Sequence, residues 1–397
     1  MDSVAGRTGW SADSPQVGPR PQGGSIMATF RHRPIIDTIP AYPQGKKPDS
    51  LPGLTPFKLS SNESPYQPLP SVQEALSRGP LESINRYPDM RGRVVCQRLA
   101  AQYEEDQLAR TGTGLGLTED NFLLGAGSTE VITQLVHMVA GPGDQVIYPW
   151  RSFEAYPIMV SSAGADSVQI PLTSDGRHNI DAMIAAVNDR TRLIIVNNPN
   201  NPTSTSVSRQ EAQRVLAAVP EDILVLFDEA YFQFNSDPDQ ARALDFFADH
   251  PNLVIAHTFS KAYGLAGLRI GYAIAHPDVV ESLLKVMLPF GVSDMAQTGA
   301  LASLEARPEL GRRVQALIGE RARVMEALKE QGWDAIPEPQ ANFFWLPLGE
   351  GTEDAAAAFA RQALAVRAFP GEGIRVSLGL PEANDRVLSV CRNLRSL

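Results

Sequence analysis

Cysteine is scarce in this chain: Cys96 and Cys391 are the only two among 397 residues. Two thiols cannot staple a chain of this length, so a disulfide-framed extracellular module is excluded and free thiols in a reducing cytoplasm are expected. Long apolar runs are missing as well. No stretch approaches the roughly 18 residues that a membrane-crossing helix needs. The N-terminus lacks a basic segment followed by an apolar one, so no export signal is read there. Positive charge is also in deficit. The 35 Lys and Arg against 45 Asp and Glu leave a formal net charge of −10, which argues against a broad nucleic-acid-binding face. No P-loop pattern GxxxxGK[ST] occurs, no internal repeat is visible, and no metal ligation is expected.

What is present is a globular composition, 43% hydrophobic and 20% charged, in a length that suits two domains or one large domain with a satellite. Residues 1–29 are rich in Gly, Ser and Pro and predict a disordered leader, within which Met27 offers an alternative start. Residues 30–57 form an N-terminal arm. Pro34, Pro40, Pro43, Pro48, Pro52 and Pro56 make it extended rather than helical.

Beyond the arm, seven short apolar runs read as strands: Asn121–Leu124, Gln145–Ile147, Ser167–Ile170, Arg192–Val196, Leu224–Phe227, Leu253–His257 and Ile270–Ile274. Helical patterns such as Thr129–Val139 and Arg209–Ala218 lie between them. This alternation predicts an α/β fold, a large domain over 58–286 with a mostly parallel seven-stranded sheet covered by helices. Helices over Glu281–Leu288, Ala296–Ala306 and Gly311–Gln331 follow. Strands Asn342–Leu346 and Gly373–Leu378, with helices Thr352–Leu364 and Glu382–Leu394, predict a smaller α+β C-terminal domain over 287–397.

A parallel sheet gathers ligands at the carboxyl ends of its strands, and four strand ends here carry polar residues suited to one ligand. After Leu253–His257 comes Thr258-Phe259-Ser260-Lys261, then a Gly-rich turn and Arg269. A lone lysine at a strand end reads as a surface residue. This one, flanked by hydroxyls and a guanidinium that suit a phosphate dianion, reads as a sheltered amine able to form a Schiff base. The strand Leu224–Phe227 ends in Asp228-Glu229-Ala230-Tyr231. A carboxylate at that depth needs a cationic partner, and a protonated pyridine nitrogen is one. Walker-B segments look similar, but the P-loop they require is missing. Asn197 to Thr203 contains two Asn-Pro steps, a rigid turn that presents Asn201, although a plain turn is the simpler reading of that segment alone. Gly125-Ala126-Gly127-Ser128-Thr129-Glu130 opens a helix, where free amides bind a phosphate or where Ser128 is merely an N-cap.

Taken together and in this order, the four segments resemble the fold-type-I aminotransferases dependent on pyridoxal 5′-phosphate, from about Ile35 to the C-terminus. The stretches Leu59 to Tyr66 and Asn85 to Asp89 add to the likeness, and the chain is similar in particular to the histidinol-phosphate aminotransferase branch. Trp150-Arg151-Ser152-Phe153-Glu154-Ala155-Tyr156-Pro157 and Thr129 depart from that branch and resemble its actinobacterial aromatic amino-acid aminotransferases.

The resemblance implies the following roles. Lys261 holds the cofactor aldehyde and serves as general base, Asp228 pairs with the pyridine nitrogen, and Tyr231 and Asn201 bond the phenolic oxygen. Phe153 stacks on the ring. Ser128, Ser260 and Arg269 hold the phosphate, with Gly127 and Thr129 supplying amides and Tyr87 reaching in from a second subunit of a homodimer. Arg375 binds the substrate carboxylate, or the phosphate of histidinol phosphate, with Asn201 also a candidate contact to the substrate carboxylate, Arg367 a second anion contact and Tyr42 lining the pocket. Trp150 and Phe343 are further candidates for its apolar wall. The implied reaction is transamination of an aromatic amino acid with a 2-oxo acid, 2-oxoglutarate first among them. Histidinol-phosphate transamination is the alternative, and a threonine-phosphate-type decarboxylase a more distant one. A regulator carrying a DNA-binding module is not favoured, since the leader is too short and too poor in apolar residues for a helix-turn-helix.

Overall fold

In a computed structural model of the chain, residues 30–79 and 81–395 are described. The expected leader therefore lies outside the described residues. The strands are β1 (Phe57–Lys58), β2 (Phe122–Gly125), β3 (Gln145–Trp150), β4 (Asp166–Pro171), β5 (Thr191–Asn197), β6 (Leu224–Asp228), β7 (Leu253–Thr258), β8 (Gly271–Ile274), β9 (Phe343–Pro347), β10 (Leu364–Ala365), β11 (Arg367–Phe369) and β12 (Gly373–Ser377). Seven of them form one sheet in the order β2-β8-β7-β6-β5-β3-β4. Within it β8 alone runs antiparallel to its neighbours. All seven predicted runs appear in it, lengthened or shifted by a few residues.

The alternation along these strands explains why both faces are covered. Ile194, Val196, Val225, Phe227 and Ile255 enter one core, while Leu193, Ile195, Leu226, Val254 and Ala256 enter the other. Period-two side chains that are apolar on both faces can be satisfied only by helices on each side. Helix Asp294–Glu305 and the first half of helix Arg307–Glu330 belong to the first of these cores, through Ala296, Ala300, Leu310 and Leu317. A third core surrounds the antiparallel sheet β11-β12-β9 and takes in Leu59, Val324, Phe359 and Val387.

Three expectations are corrected. The arm is not wholly extended: Pro34 sits in the first turn of a 3-10 helix, Pro34–Thr38, where its fixed φ and missing N–H cost nothing. The helix expected at Glu281–Leu288 runs from Pro277 to Leu284, because the His276 side chain accepts from the Asp278 N–H and starts it earlier. The helix expected to reach Leu364 stops at Ala360. Leu364–Ala365 instead pairs in parallel with Phe57–Lys58 as a separate two-stranded sheet, and this ties the end of the arm to the segment that leads into β11.

The antiparallel strand brings the chain back at the rim where the parallel strands end. Gly271 pairs with both Gly125 and Thr258. A Cβ on Gly271 would fall inside van der Waals contact of the Ser128 amide and the Gly127 carbonyl carbon. The strand can pass under this loop only as glycine. Gly271→Ala should therefore displace Gly127–Ser128 and cost roughly 1–3 kcal/mol of stability. Thermal unfolding of the cofactor-free variant against wild type checks it, and an unchanged midpoint would refute the close approach.

Candidate active site

Five strand ends meet at one rim. There β6 delivers Asp228, β5 delivers Asn197, β7 runs into Thr258–Lys261, β2 into Gly125–Ser128, and β3 into Phe153. A cavity of about 710 Å³ opens between them, a size typical of ligand sites. Its lining includes Lys261, Asp228, Tyr231, Asn201, Phe153, Ser128, Thr129, Ser260, Arg269, Arg375, Arg367 and Tyr42. Residues dispersed over more than 300 positions of sequence thus share one space.

Asp228 is the deepest charge. Tyr156 donates to its Oδ2 at 2.6 Å, while among the described residues Oδ1 has no hydrogen bond of good geometry, the Ala230 backbone N–H lying near enough only to offset part of the burial. Burial pushes the carboxyl up to about 6 in spite of the Tyr156 bond. Lys261 shows the same cause with the opposite sign: burial first, then Arg375 and Arg269, bring its amine down to about 8. Tyr231 is pushed up to about 12 by burial, so its phenol keeps its proton. Its hydroxyl accepts from Asn62 Nδ2 at 3.1 Å, and its ring packs edge-on to Phe343 at 4.9 Å between centroids.

The turn after β5 and the small sheet hold each other. Asn197 Oδ1 accepts from the Asn201 N–H at 2.8 Å. Asn201 Oδ1 accepts from Arg375 Nη1 at 2.7 Å, and Arg375 Nη2 donates to the Ser60 carbonyl at 2.6 Å. Arg375 Nε is buried without a partner among the described residues. Burial lowers the guanidinium's affinity for its proton, with the nearby Arg367 acting in the same direction.

At the opposite end, helix Ser128–Val139 starts with no side-chain cap, which leaves its first amides open. Arg269 lies across this start. It donates from Nη1 to Ser260 Oγ and from Nη2 to the Ala126 carbonyl, both at 3.3 Å. Gly127 has φ +84°, and a Cβ there would come within 2.5 Å of Arg269 Nη2.

These features fit pyridoxal 5′-phosphate. The Oδ1 of Asp228, short of a well-formed hydrogen bond, suits a protonated ring nitrogen. Open amides, Ser128, Ser260 and Arg269 suit the phosphate, and the lowered amine of Lys261 suits the aldehyde.

Not every expected residue joins this group. Tyr87 is 81% exposed, lies outside the cavity lining and stacks on Phe290 at 4.6 Å. Trp150 packs beneath Arg151 at 4.4 Å, and Phe343 is fully buried behind Tyr231, so neither lines the cavity. Its apolar wall comes from Phe153, Tyr42, Ile158 and Met159. Arg367 lines it as expected but is gripped by Glu154. Sequence reasoning gave no role to Asn62, Tyr156 or Glu154. Asn62 stands in a stretch that carried the resemblance and Tyr156 one helical turn from Phe153, and that proximity was their only signal.

The raised carboxyl of Asp228 has a consequence for stability. Its folded value, about 6, exceeds the ordinary 3.8, so folding disfavours the ionised form. That penalty is absent below pH 3.8, grows as pH rises, and is complete above 6, where it amounts to about 3 kcal/mol. In cofactor-free protein, Asp228→Asn should therefore be more stable than wild type at pH 8 by up to that amount, with the gain vanishing toward pH 4. With cofactor bound the order should reverse, since the amide cannot balance a ring cation. Denaturant unfolding at both pH values checks the sign, and a cofactor-free variant less stable than wild type at pH 8 would contradict it.

Comparison with known proteins agrees with this geometry. The family model described as aminotransferase class I and II matches residues 55–389. An aromatic amino acid aminotransferase of Streptomyces avermitilis is 49% identical over 363 residues, covering 91% of this chain and 97% of the relative. One of Thermobifida fusca is 45% identical over 360 residues, covering 91% and 96%. The solved histidinol-phosphate aminotransferase of Sinorhizobium meliloti, in complex with pyridoxal-5′-phosphate, superposes with a TM-score of 0.79 at 25% identity, covering 93% of this chain and 100% of that one. With a buried amine, a buried carboxylate and an open phosphate cradle on one sheet rim, the chain belongs to the class I and II aminotransferases, enzymes that work with pyridoxal 5′-phosphate.

Proposed function

We propose that this chain transfers the amino group of an aromatic amino acid to a 2-oxo acid, with 2-oxoglutarate as the acceptor to test first. The observation that carries the reading is the convergence of Lys261, Asp228 and Arg375 in one cavity walled by Phe153, Tyr42, Ile158 and Met159. Relatives named aromatic amino acid aminotransferase at 45–49% identity support it.

When bound, pyridoxal phosphate supplies an electron-poor ring that accepts the pair released as the substrate's α C–H bond breaks. The chain's residues do the rest. Asp228 Oδ1 holds the proton on the ring nitrogen and stays ionised by doing so, while Tyr156 fixes Oδ2. Tyr231 and the amide nitrogen of Asn201 would bond the cofactor's phenolic oxygen, and Phe153 would supply an aromatic surface for its ring. Ser128, Ser260, Arg269 and the amides of Ser128 and Thr129 would hold the phosphate; the Gly127 N–H, expected to join them, is already given to the Gly125 carbonyl at 2.7 Å. Arg375, fixed by Asn201 and Ser60, binds the substrate carboxylate and so orients the α carbon. Lys261 Nζ moves the α proton. At pH 7 an amine titrating near 8 is neutral in about one molecule in ten, against about one in 3,000 for an ordinary lysine. That is enough for a nucleophile and general base.

A homodimer belongs to the proposal. Leu81, Ile84, Tyr87, Leu288 and Phe290 expose apolar side chains, and Tyr87 would leave its own chain to reach a partner's phosphate. A cytoplasmic setting accords with two buried free thiols. Among the described residues no helix is long and apolar enough to cross a membrane.

Two experiments test the reading. Holoenzyme mixed separately with phenylalanine, tyrosine and histidinol phosphate should lose its visible cofactor absorbance with the aromatic amino acids at the lowest concentration; conversion by histidinol phosphate alone would reverse the substrate assignment. Capture of the cofactor by apoenzyme, followed by stopped-flow absorbance, should accelerate with pH through about 8 and then level off, because only the neutral amine attacks. A rate still climbing at pH 10 would show an unshifted lysine, and Lys261→Ala should abolish borohydride-fixable attachment.

A further inference from the structure

Five cationic side chains line the cavity: Lys58, Lys261, Arg269, Arg367 and Arg375. The proposed function occupies Lys261, Arg269 and Arg375. The remaining two already meet carboxylates of the same lining. Lys58 bonds Glu63 at 2.7 Å, but the side chains are 36% and 43% exposed, so water screens that pair. Arg367 is different. Its Nη2 grips both oxygens of Glu154 at 2.7 Å and its Nε adds a bond at 3.1 Å, with the side chains only 15% and 20% exposed. A sheltered, bidentate pair is the stronger of the two.

The placement of this pair matters. Glu154 follows Phe153 on the loop after β3. Arg367 lies on β11 directly opposite Arg375 on β12. The Tyr42 hydroxyl senses Glu154, Arg375 and Arg367 together, so these groups share one end of the cavity. A second ion pair, Arg151 with Glu372, joins the same loop to the same hairpin, and Arg151 and Arg367 both lie against Phe369, at 5.6 and 5.5 Å. The loop therefore stays tied to the hairpin when Glu154 releases Arg367.

A transaminase of this kind must accept two side chains in turn, an aromatic ring from the donor and a second carboxylate from a dicarboxylic 2-oxo acid. An unpaired guanidinium would suit the second and disfavour the first, because an aromatic side chain seated there takes water from its in-plane N–H donors and accepts none of them, a loss that contact with a ring face offsets only in part. We propose that Glu154 is a specificity-determining residue: it occupies Arg367 as an internal carboxylate, keeping that end of the cavity neutral for an aromatic side chain, and yields Arg367 to the distal carboxylate of a dicarboxylic acid. The inference rests on the aromatic and dicarboxylic substrates of the proposed function. A dicarboxylate then binds only to the fraction of molecules in which the pair is open, and its affinity falls by that fraction.

The test uses holoenzyme and two unreactive probes, glutarate and 3-phenylpropionate, titrated against the visible absorbance of the bound cofactor. In Glu154→Gln the glutarate Kd should fall about tenfold, the scale of a released, partly sheltered pair, while the 3-phenylpropionate Kd should rise. A glutarate Kd equal to or weaker than that of wild type overturns the proposal. In Arg367→Gln glutarate should weaken about tenfold and 3-phenylpropionate much less; equal losses of both would reduce the pair to a structural clasp and also overturn it. Should Glu154→Gln lose the cofactor, Glu154→Asp keeps the charge but shortens its reach, and an unchanged glutarate Kd in that variant is equally decisive against the idea. Failure of wild type to convert phenylalanine would sink the proposed function instead, since probe binding does not depend on turnover.

Discussion

The structure depends on a carboxylate held where an isolated anion is costly. Asp228 ends a central strand, is fully enclosed, and has one oxygen without a hydrogen bond of good geometry among the described residues. Left alone, burial raises its affinity for a proton. The enclosure that does this also lowers the proton affinity of Lys261, which lines the same cavity. One cause thus brings an acid and a base toward each other on the pH scale, to about 6 and about 8, whereas in water they stand far apart. A ligand carrying a cationic ring nitrogen and an aldehyde relieves both, taking the charge of one and the lone pair of the other.

Topology makes that enclosure. Every parallel strand points its carboxyl end at the same rim, and β8, the single antiparallel member, starts there. Arg269, two residues before β8, has a left-handed conformation, φ +57°, so the chain turns its guanidinium back over the helix start at Ser128. The phosphate end is then built from backbone that cannot move far. Gly271 and Gly127 leave no room for side chains, and the amides have no competing cap. Preorganised donors of this sort bind an anion without reorganising after it arrives.

Much of this was legible in the sequence because the large sheet is local in its signals. Apolar runs from Phe122 to Ile274 are bounded by turn residues, and each polar strand end follows its own run. Lys261, Asp228 and Asn201 were therefore singled out from their neighbours in the chain, and the structure brings the three into one cavity. What escaped was set by long-range partners. Tyr156 reads as an aromatic in a helix start until Asp228 is placed beside it. Leu364–Ala365 looks like the continuation of a helix until β1 arrives from more than 300 residues away and claims its backbone. Arg367 was recognised as a cation near the substrate, but Glu154, its partner, is 213 residues distant and carries no motif. Trp150 and Phe343 erred in the other direction, since an aromatic near a site is as readily packed behind it as exposed in it.

Arg375 shows why the small sheet cannot be separated from the chemistry of the large one. Its side chain crosses to Asn201 in the rigid turn after β5 and to the carbonyl of Ser60, just past the arm and β1. Asn62, two residues on, bonds Tyr231 through its amide nitrogen and accepts from Ser377 on the same strand as Arg375. Three segments distant in sequence are thereby locked around Arg375, where the proposed function puts the substrate carboxylate. The lock leaves Arg375 Nε without a partner among the described residues, and a buried guanidinium with a free donor in a low-dielectric cleft gains more from a carboxylate than the same group would in water. Binding strength at that position is therefore a property of how the arm, the turn and the small sheet meet, and a change in any of the three alters it without touching the arginine.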